Sequence, residues 1–240
     1  MDEAFTDDAL WNGRLVFRQP AKGVGYRFNI DPVLVAGFAP SARHVVDLGA
    51  GVGVIGLLLL AMKKAQYLTA VERQPMMADC MRHNIHVQNV DVRARVIAAD
   101  LRSVDLPLVD LVVFNPPYMP MDAGRGSPNA GRDEARREVH GGLADFCGAA
   151  IRCLAPNGSV LAIVPQIREM NLVRAAKDVG LQPVRRCLVR ARPDDVPHLI
   201  MLQFSRENTS PVQSEHLVIH ADRDGRTLSP VVDAWVRGPS

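Results

Sequence analysis

The sequence predicts a doubly wound α/β fold, with a seven-stranded, mostly parallel sheet that ends in an antiparallel hairpin. From residue 44 onward, short apolar runs alternate with amphipathic ones, which is typical of βαβ units. A turn with three glycines follows the first apolar run, as in α/β folds that bind ligands at the carboxyl ends of their strands. The 240 residues, 48% of them hydrophobic, are enough to bury the core of such a domain.

The predicted strands are runs rich in β-branched residues, mostly too continuous in apolar character to be surface helices. They cover residues 44–48, 67–72, 92–98, 110–115, 159–164, 184–190 and 198–204. The last two follow each other directly, which favours an antiparallel hairpin. Helices are predicted over 32–39, 54–64, 74–88, 143–154 and 169–179.

The remaining segments complete the predicted organisation. One domain is expected over residues 1–208, with a basic N-terminal entry segment at 11–31, followed by a C-terminal tail at 209–240. Residues 119–142 are charged and rich in glycine, which predicts a long loop. A mostly apolar run at 231–236 is expected to dock on the domain as a strand or cap.

Composition excludes several classes of protein. Collagen-like, disulfide-scaffold and disordered chains do not have this composition. The four cysteines form no C-x-x-C pair, so no metal site is predicted, and the acidic N-terminus is unlike a secretory signal, which favours a cytoplasmic protein. The formal net charge of +2 argues against a non-specific polyanion binder, although 24 arginines against 4 lysines leave a nucleic-acid partner open.

The segment VVDLGAGVGVIG predicts a nucleotide-type cofactor site. Gly49, Gly51 and Gly53 allow a sharp turn and a close approach of a ligand to the backbone. Glu72 ends the second predicted strand, where a carboxylate can accept the hydroxyls of a ribose. By spacing alone, this pattern fits a dinucleotide as well as S-adenosylmethionine.

Two acids favour S-adenosylmethionine over a dinucleotide. Asp47 stands just before the glycine turn, where an anion would oppose the binding of a pyrophosphate but suit a cationic cofactor. Asp100 ends the third predicted strand and is expected to accept the exocyclic amine of the cofactor's adenine.

The strongest motif is Asn115-Pro116-Pro117-Tyr118, directly after the fourth strand. Two consecutive prolines make the corner rigid. If the Asn115 side-chain carbonyl and the Pro116 backbone carbonyl accept the hydrogens of an exocyclic amine, they orient its lone pair towards a sulfonium methyl group. Tyr118 offers a face on which a flipped base can stack.

The chain resembles the class I, Rossmann-like methyltransferases of the amino-methylating N-P-P-Y group that use S-adenosylmethionine. Within that group it is similar to bacterial tRNA adenine-N6 methyltransferases that modify the adenosine beside the anticodon of a valine tRNA. The resemblance rests on the segments 47–53, 71–73, 98–101 and 115–118, supported by 19–31 and 135–138. It implies further cofactor-binding residues: Lys22, Tyr26, Phe28, Asp31, Arg73, Leu101 and Asn115.

Two groups of basic residues are candidates for a nucleic-acid rim beside the pocket. They are Arg14, Arg18, Lys22 and Arg27 before the glycine turn, and Arg185, Arg186, Arg190 and Arg192 near the late hairpin. Each group can equally be a solvated surface. A lone histidine, His140, is not assigned as a catalytic base, since the methylated nitrogen becomes acidic during transfer.

Three alternatives remain open from the sequence. The amine can belong to rRNA, DNA or a protein glutamine rather than tRNA. A nicotinamide-dependent oxidoreductase would use the glycines and Glu72 but leave the Asn115 corner without a role. A non-catalytic RNA-binding adaptor would retain only the fold.

Overall fold

A computed structural model describes residues 4–25, 27–117, 142–207 and 210–238. The strands are β1 Phe5–Leu10, β2 Leu15–Pro20, β3 Ala42–Leu48, β4 Ala65–Val71, β5 Ala94–Ile97, β6 Val109–Phe114, β7 Leu154–Pro165, β8 Gln182–Arg190, β9 Leu199–Ser205 and β10 Gln213–Val218. The α-helices are α1 Asp31–Phe38, α2 Val54–Ala61, α3 Pro75–Val87, α4 Leu143–Cys153, α5 Glu169–Asp178 and α6 Pro230–Arg237. Short 3-10 turns occupy Trp11–Gly13 and Gln166–Arg168.

The main sheet has the order β10-β8-β9-β7-β6-β3-β4-β5. β3, β4, β5, β6 and β7 are mutually parallel, and β9 runs antiparallel to both β7 and β8, so the predicted parallel sheet with a late antiparallel hairpin is confirmed. Two apolar clusters cover its two faces, one built on the helices α1 to α3 and the other on α4 and α5. The glycine turn therefore lies at the carboxyl edge of a sheet whose centre is buried on both sides.

The predicted number of seven strands is wrong, because the sheet in the structure has eight. The eighth, β10, pairs in parallel with β8 at the edge of the sheet. Its first four side chains are exposed and mostly polar, so it lacks the apolar run that predicts a strand. β1 and β2 form a separate antiparallel hairpin, which sequence reasoning also missed.

The apolar run at 231–236 is part of a helix, α6, that packs on α1. Trp235 lies directly over Gly37, where an added Cβ would stand 2.1 Å from the indole ring. The indole nitrogen of Trp11 donates to the Trp235 carbonyl at 3.0 Å, which ties the N-terminal hairpin to the same helix. The C-terminal helix thus holds α1 and the β1–β2 hairpin together.

Replacement of Trp235 by alanine is expected to lower the free energy of unfolding by about 2 kcal/mol, because it empties a half-buried aromatic contact on α1. Val231→Ala, at an exposed position of the same helix, is the matched control and should change stability by less than about 0.5 kcal/mol. Denaturant unfolding of both variants measures the difference. Equal free energies of unfolding in the two variants would show that the contact of Trp235 with α1 does not stabilise the protein.

No helix among the described residues is both long and apolar enough to cross a membrane.

Candidate active site

A cavity of about 390 Å³ opens at the carboxyl ends of β3, β4 and β6. It has the size and the mostly apolar wall that are usual for a small-molecule site. The wall is formed by Phe28, Pro32, Gly49, Ala50, Gly51, Val52, Val54, Ile55, Val71, Glu72, Arg73, Gln74, Met77, Ala99, Asp100, Leu101, Asn115, Pro116, Pro117 and Phe146.

The glycine turn forms one wall of the cavity through Gly49 and Gly51, and all three of its glycines adopt positive φ. The φ angles of Gly49, Gly51 and Gly53 are 65°, 58° and 89°, a region that side chains with a Cβ rarely adopt. Gly51 faces open space where a Cβ would stand, so a ligand can approach its backbone closely. Gly53 lies off the cavity wall, and its missing Cβ instead leaves room for Met81.

Glu72 is the carboxylate that the structure places against the glycine turn. Its two oxygens accept one backbone hydrogen bond each, from the Gly51 amide at 2.8 Å and from the Gln74 amide at 2.7 Å. The side chain is only 5% exposed, yet it lies on the cavity wall. Since each carboxylate oxygen has two lone pairs, both can still accept a ligand hydroxyl.

Asp47 does not line the cavity, which corrects the expectation of a direct contact with a cationic cofactor. Its Oδ2 accepts the Gly56 amide of α2 at 3.2 Å, and its Oδ1 has no hydrogen-bond partner among the described residues. Burial raises the pKa of the Asp47 carboxyl to about 7, opposed by the Gly56 hydrogen bond and reinforced by the charge of Glu72. Asp47 therefore joins β3 to α2 beneath the glycine turn.

The titration of Asp47 predicts a pH-dependent stability. A carboxyl whose pKa is higher in the folded than in the unfolded state stabilises the fold fully below pH 4 and loses that contribution as pH rises through 7. Asp47→Asn, which cannot ionise, should remove up to about 1.4 kcal/mol per pH unit of this dependence. Denaturant unfolding of both proteins between pH 4 and 8 measures this pH dependence. If the free energy of unfolding changes with pH in the same way in both proteins, the raised pKa of Asp47 is contradicted.

Asp100 lies on the wall and is already paired with arginine. Its Oδ1 accepts the backbone amide of Arg102 at 2.9 Å, and its Oδ2 lies 2.6 Å from the Arg102 guanidinium and 3.9 Å from that of Arg73. The hydrogen bonds from Arg102 lower the pKa of Asp100 to about 2, so it is ionised at neutral pH. Arg73 and Leu101, which the resemblance implies as cofactor-binding residues, also line the cavity.

The corner after β6 brings Asn115, Pro116 and Pro117 to the cavity wall. The side-chain oxygen of Asn115 is inaccessible to solvent and accepts no hydrogen bond from the described residues. Leaving a buried carbonyl unpaired is costly, so such an atom at a cavity wall points to a ligand donor. Tyr118, the fourth residue of the predicted motif, lies outside the described residues.

The entry segment contributes less to the cavity than expected. Phe28 is on the wall, whereas Lys22 is exposed and Asp31 is buried at the start of α1, and neither of them lines the cavity. Tyr26 lies outside the described residues.

Several wall residues have no signal in the sequence. Phe146, on the first turn of α4, lies against Gly49 and packs on Phe114 with the two ring centroids 5.2 Å apart. Pro32 and Met77 line the cavity from α1 and α3. A helix-start position that faces the glycine turn is the only pattern that could have indicated them.

The proposed rim arginines do not surround the cavity, and none of them lines it. Arg185 contacts the Phe38 carbonyl at the far end of α1, whereas the cavity meets that helix at Pro32. Arg14 binds the Trp11 and Arg237 carbonyls beside α6. Arg186 pairs with Glu169 at 3.1 Å.

Arg18 and Arg27 are likewise held within the protein. They pair across the β1–β2 hairpin region with Asp7 at 3.3 Å and Asp8 at 2.7 Å. Within the described ranges, no cluster of three His, Cys, Asp or Glu residues could hold a metal ion.

The chain is similar in sequence to proteins of one known family. Residues 31–127 match the methyltransferase small domain. Two curated relatives, from Tolumonas auensis and Aeromonas hydrophila, are both named tRNA1(Val) (adenine(37)-N6)-methyltransferase. The first is 30% identical over 77% of each chain, and the second is 32% identical over 80% of this chain and 81% of the relative. The chain belongs to this methyltransferase family.

Solved structures agree with the fold of a methyltransferase. A predicted O-methyltransferase from Agrobacterium tumefaciens superposes with a TM-score of 0.66 at 20% identity, covering 88% of this chain and 98% of the other. TYW2 from M. jannaschii, solved in complex with AdoMet, gives 0.58 at 19% identity, covering 86% and 89%. The predicted enzyme class, a methyltransferase that uses S-adenosylmethionine, is confirmed. The relatives do not support a nicotinamide-dependent oxidoreductase.

Proposed function

We propose that this methyltransferase transfers a methyl group from S-adenosylmethionine to N6 of an adenosine in tRNA. The observation that carries the proposal is the unpaired, buried side-chain oxygen of Asn115 in the cavity wall. An exocyclic amine supplies the donor that this oxygen lacks. The names of the curated relatives support adenine N6 as that amine.

The residues of the cavity fit S-adenosylmethionine. Glu72 has lone pairs left for the ribose hydroxyls, and Asp100 presents an ionised carboxylate to an amine. Ile55, Met77 and Leu101 give an apolar wall for a flat adenine ring. The positive φ of Gly51 and the open space at its Cα let the backbone approach the ligand closely.

When bound, the cofactor supplies a methyl group on a sulfonium. The chain's own part is to orient the nucleophile. Asn115 Oδ1 and the Pro116 carbonyl accept the two hydrogens of the adenosine amine and aim its lone pair into the cavity. The amine nitrogen, once methylated, is cationic and loses one proton to water, so no side chain has to act as a strong base.

Pro116 and Pro117 keep the two acceptor oxygens in place, because each proline fixes its own φ and restricts the residue before it. The corner follows β6, which is buried on both faces between β3 and β7. The site therefore needs little rearrangement when the amine binds.

A tRNA substrate also accounts for the near-neutral charge of the chain. A folded RNA presents much of its own shape, so a deep pocket and a few local contacts suffice. Such a substrate implies that the enzyme works in the cytoplasm. The competing methyl acceptors are rRNA, DNA and protein glutamine. A direct labelling experiment distinguishes them from tRNA.

The test is to incubate the purified protein with methyl-labelled S-adenosylmethionine and separate tRNA, rRNA, DNA and protein fractions. We expect the label in the tRNA fraction. Label in any other fraction, with none in tRNA, would contradict the proposed substrate. An adaptor without catalytic activity would transfer no label to any fraction.

A further inference from the structure

A second groove lies at the edge of the sheet opposite the active-site cavity. Its volume is about 370 Å³, and it is formed at the amino ends of β3, β4 and β5. We call it the β4–β5 groove and define it by His44, Tyr67, Thr69, Arg93 and Arg95. The connection 98–108 between β5 and β6 contains no helix, which leaves this part of the sheet open to solvent.

The floor of the groove is an ordered polar network. Thr69 is 1% exposed, and its hydroxyl lies 2.9 Å from His44 Nε2 and accepts Arg95 Nε at 3.0 Å. The Tyr67 ring meets the His44 ring edge to face, with their centroids 6.3 Å apart. Tyr67 is nevertheless 44% exposed, so one side of an aromatic ring is fixed in position and open to a ligand.

The two arginines of the groove have no carboxylate partner among the described residues. Arg95 is anchored on Thr69 through one of its five donors. One carboxylate, Asp91, also lines the groove and lies 3.5 Å from His86, while Asp110 beside His44 accepts the backbone amides of Arg43 and His44. Two arginines against one lining carboxylate leave the groove with an excess of positive charge.

This distinguishes the groove from four of the arginines that sequence reasoning assigned to RNA. Arg18, Arg27, Arg185 and Arg186 are each paired with a carboxylate of the protein, as Arg185 is with Glu215 at 2.5 Å. An arginine already paired gains less from a phosphate, since it must first give up its carboxylate. Unpaired arginines beside an exposed aromatic ring are the combination that single-stranded nucleic acid favours.

We propose that the β4–β5 groove is a second contact site for the RNA substrate, with Arg93 and Arg95 on backbone phosphates and Tyr67 stacked against an unpaired base. The inference rests on the proposed tRNA substrate and extends it beyond the cavity. Glu72 follows the end of β4 and stands five positions after Tyr67, roughly 16 Å along the strand direction. A folded RNA can reach across that distance while its target adenosine occupies the cavity.

The experiment compares tRNA binding and turnover in the double variant Arg93→Ala/Arg95→Ala with wild type. The charge-matched control is Arg174→Ala/Arg226→Ala, which removes two exposed arginines elsewhere. We expect the Kd and KM for tRNA to rise at least tenfold in the groove variant only, with kcat and the Kd for S-adenosylmethionine unchanged. The slope of log K against log salt should fall by about 1 for each arginine on a phosphate.

Tyr67 gives an independent readout. Tyr67→Ala should weaken tRNA binding about tenfold with an unchanged salt slope, and Tyr67→Phe should restore it, because stacking needs the aromatic ring and not the hydroxyl.

If the double variant binds tRNA as tightly as the wild-type protein, and the wild-type protein methylates tRNA, the RNA contact at the groove is contradicted. The proposed function is then unaffected. If the double variant loses both kcat and thermal stability while its tRNA affinity is unchanged, these arginines stabilise the fold. This result also contradicts the RNA contact at the groove. A wild-type protein that does not methylate tRNA would instead contradict the proposed function itself.

Discussion

Replacement of Asn115 by alanine is expected to lower kcat for methyl transfer by about 10³-fold, because the variant loses the acceptor that orients the adenosine amine. The side-chain oxygen of Asn115 is buried and unpaired among the described residues, so its removal should not destabilise the fold. Single-turnover kinetics with tRNA and calorimetric titration with S-adenosylmethionine measure the two effects separately. We expect the cofactor Kd to change by no more than a few fold.

Asn171→Ala is the matched control, since Asn171 is exposed on α5. It should leave kcat, cofactor affinity and stability at the wild-type values. Methyl transfer by Asn115→Ala at the wild-type rate would contradict the assignment of this residue. A loss of kcat accompanied by a loss of thermal stability would show instead that Asn115 stabilises the corner and does not orient the substrate.

Replacement of Glu72 by alanine is expected to raise the Kd for S-adenosylmethionine about 100-fold, since charge-assisted hydrogen bonds to the ribose hydroxyls are lost. The amides of Gly51 and Gln74 lose their acceptor as well, which loosens the glycine turn. Because both effects act on cofactor binding, kcat at saturating cofactor should fall much less than affinity. Calorimetric titration and the KM for S-adenosylmethionine measure the loss.

Glu72→Gln separates the two contributions, because an amide keeps one acceptor oxygen in the same position. It should lose less affinity than Glu72→Ala. Glu207→Ala, at an exposed position beyond β9, is the control for removing a carboxylate and should bind cofactor as wild type does. A wild-type Kd in Glu72→Ala would show that the cofactor does not use this wall of the cavity.

The central part of the fold could be predicted because its signals are local. β3, β4, β6 and β7 are buried on both faces in their carboxyl-terminal halves, which therefore appear as continuous apolar runs. β1 and β10 carry no such run, since FTDDAL and QSEHLV are at least half polar and lie at edges. Whether a polar segment joins a sheet depends on an edge left open elsewhere, which no local pattern records.

The site could be predicted in part for a similar reason. Residues at strand ends and in the glycine turn, such as Glu72, Gly51 and Asn115, reach the cavity wherever the sheet places its carboxyl edge. Asp47 stands in β3 itself, and the face on which its side chain lies is settled by packing against α2. The pairing of surface arginines with acids depends on long-range contacts such as Arg18 with Asp7 across the hairpin, so the Arg excess in the composition did not locate an RNA surface.

The most direct test of the proposed function is to methylate purified valine tRNA with the enzyme and S-adenosylmethionine, digest the RNA and identify the methylated nucleoside by mass spectrometry. We expect N6-methyladenosine with wild type and its near absence with Asn115→Ala. A different methylated nucleoside, or no methyl group on the tRNA from a wild-type protein that binds S-adenosylmethionine, would contradict it.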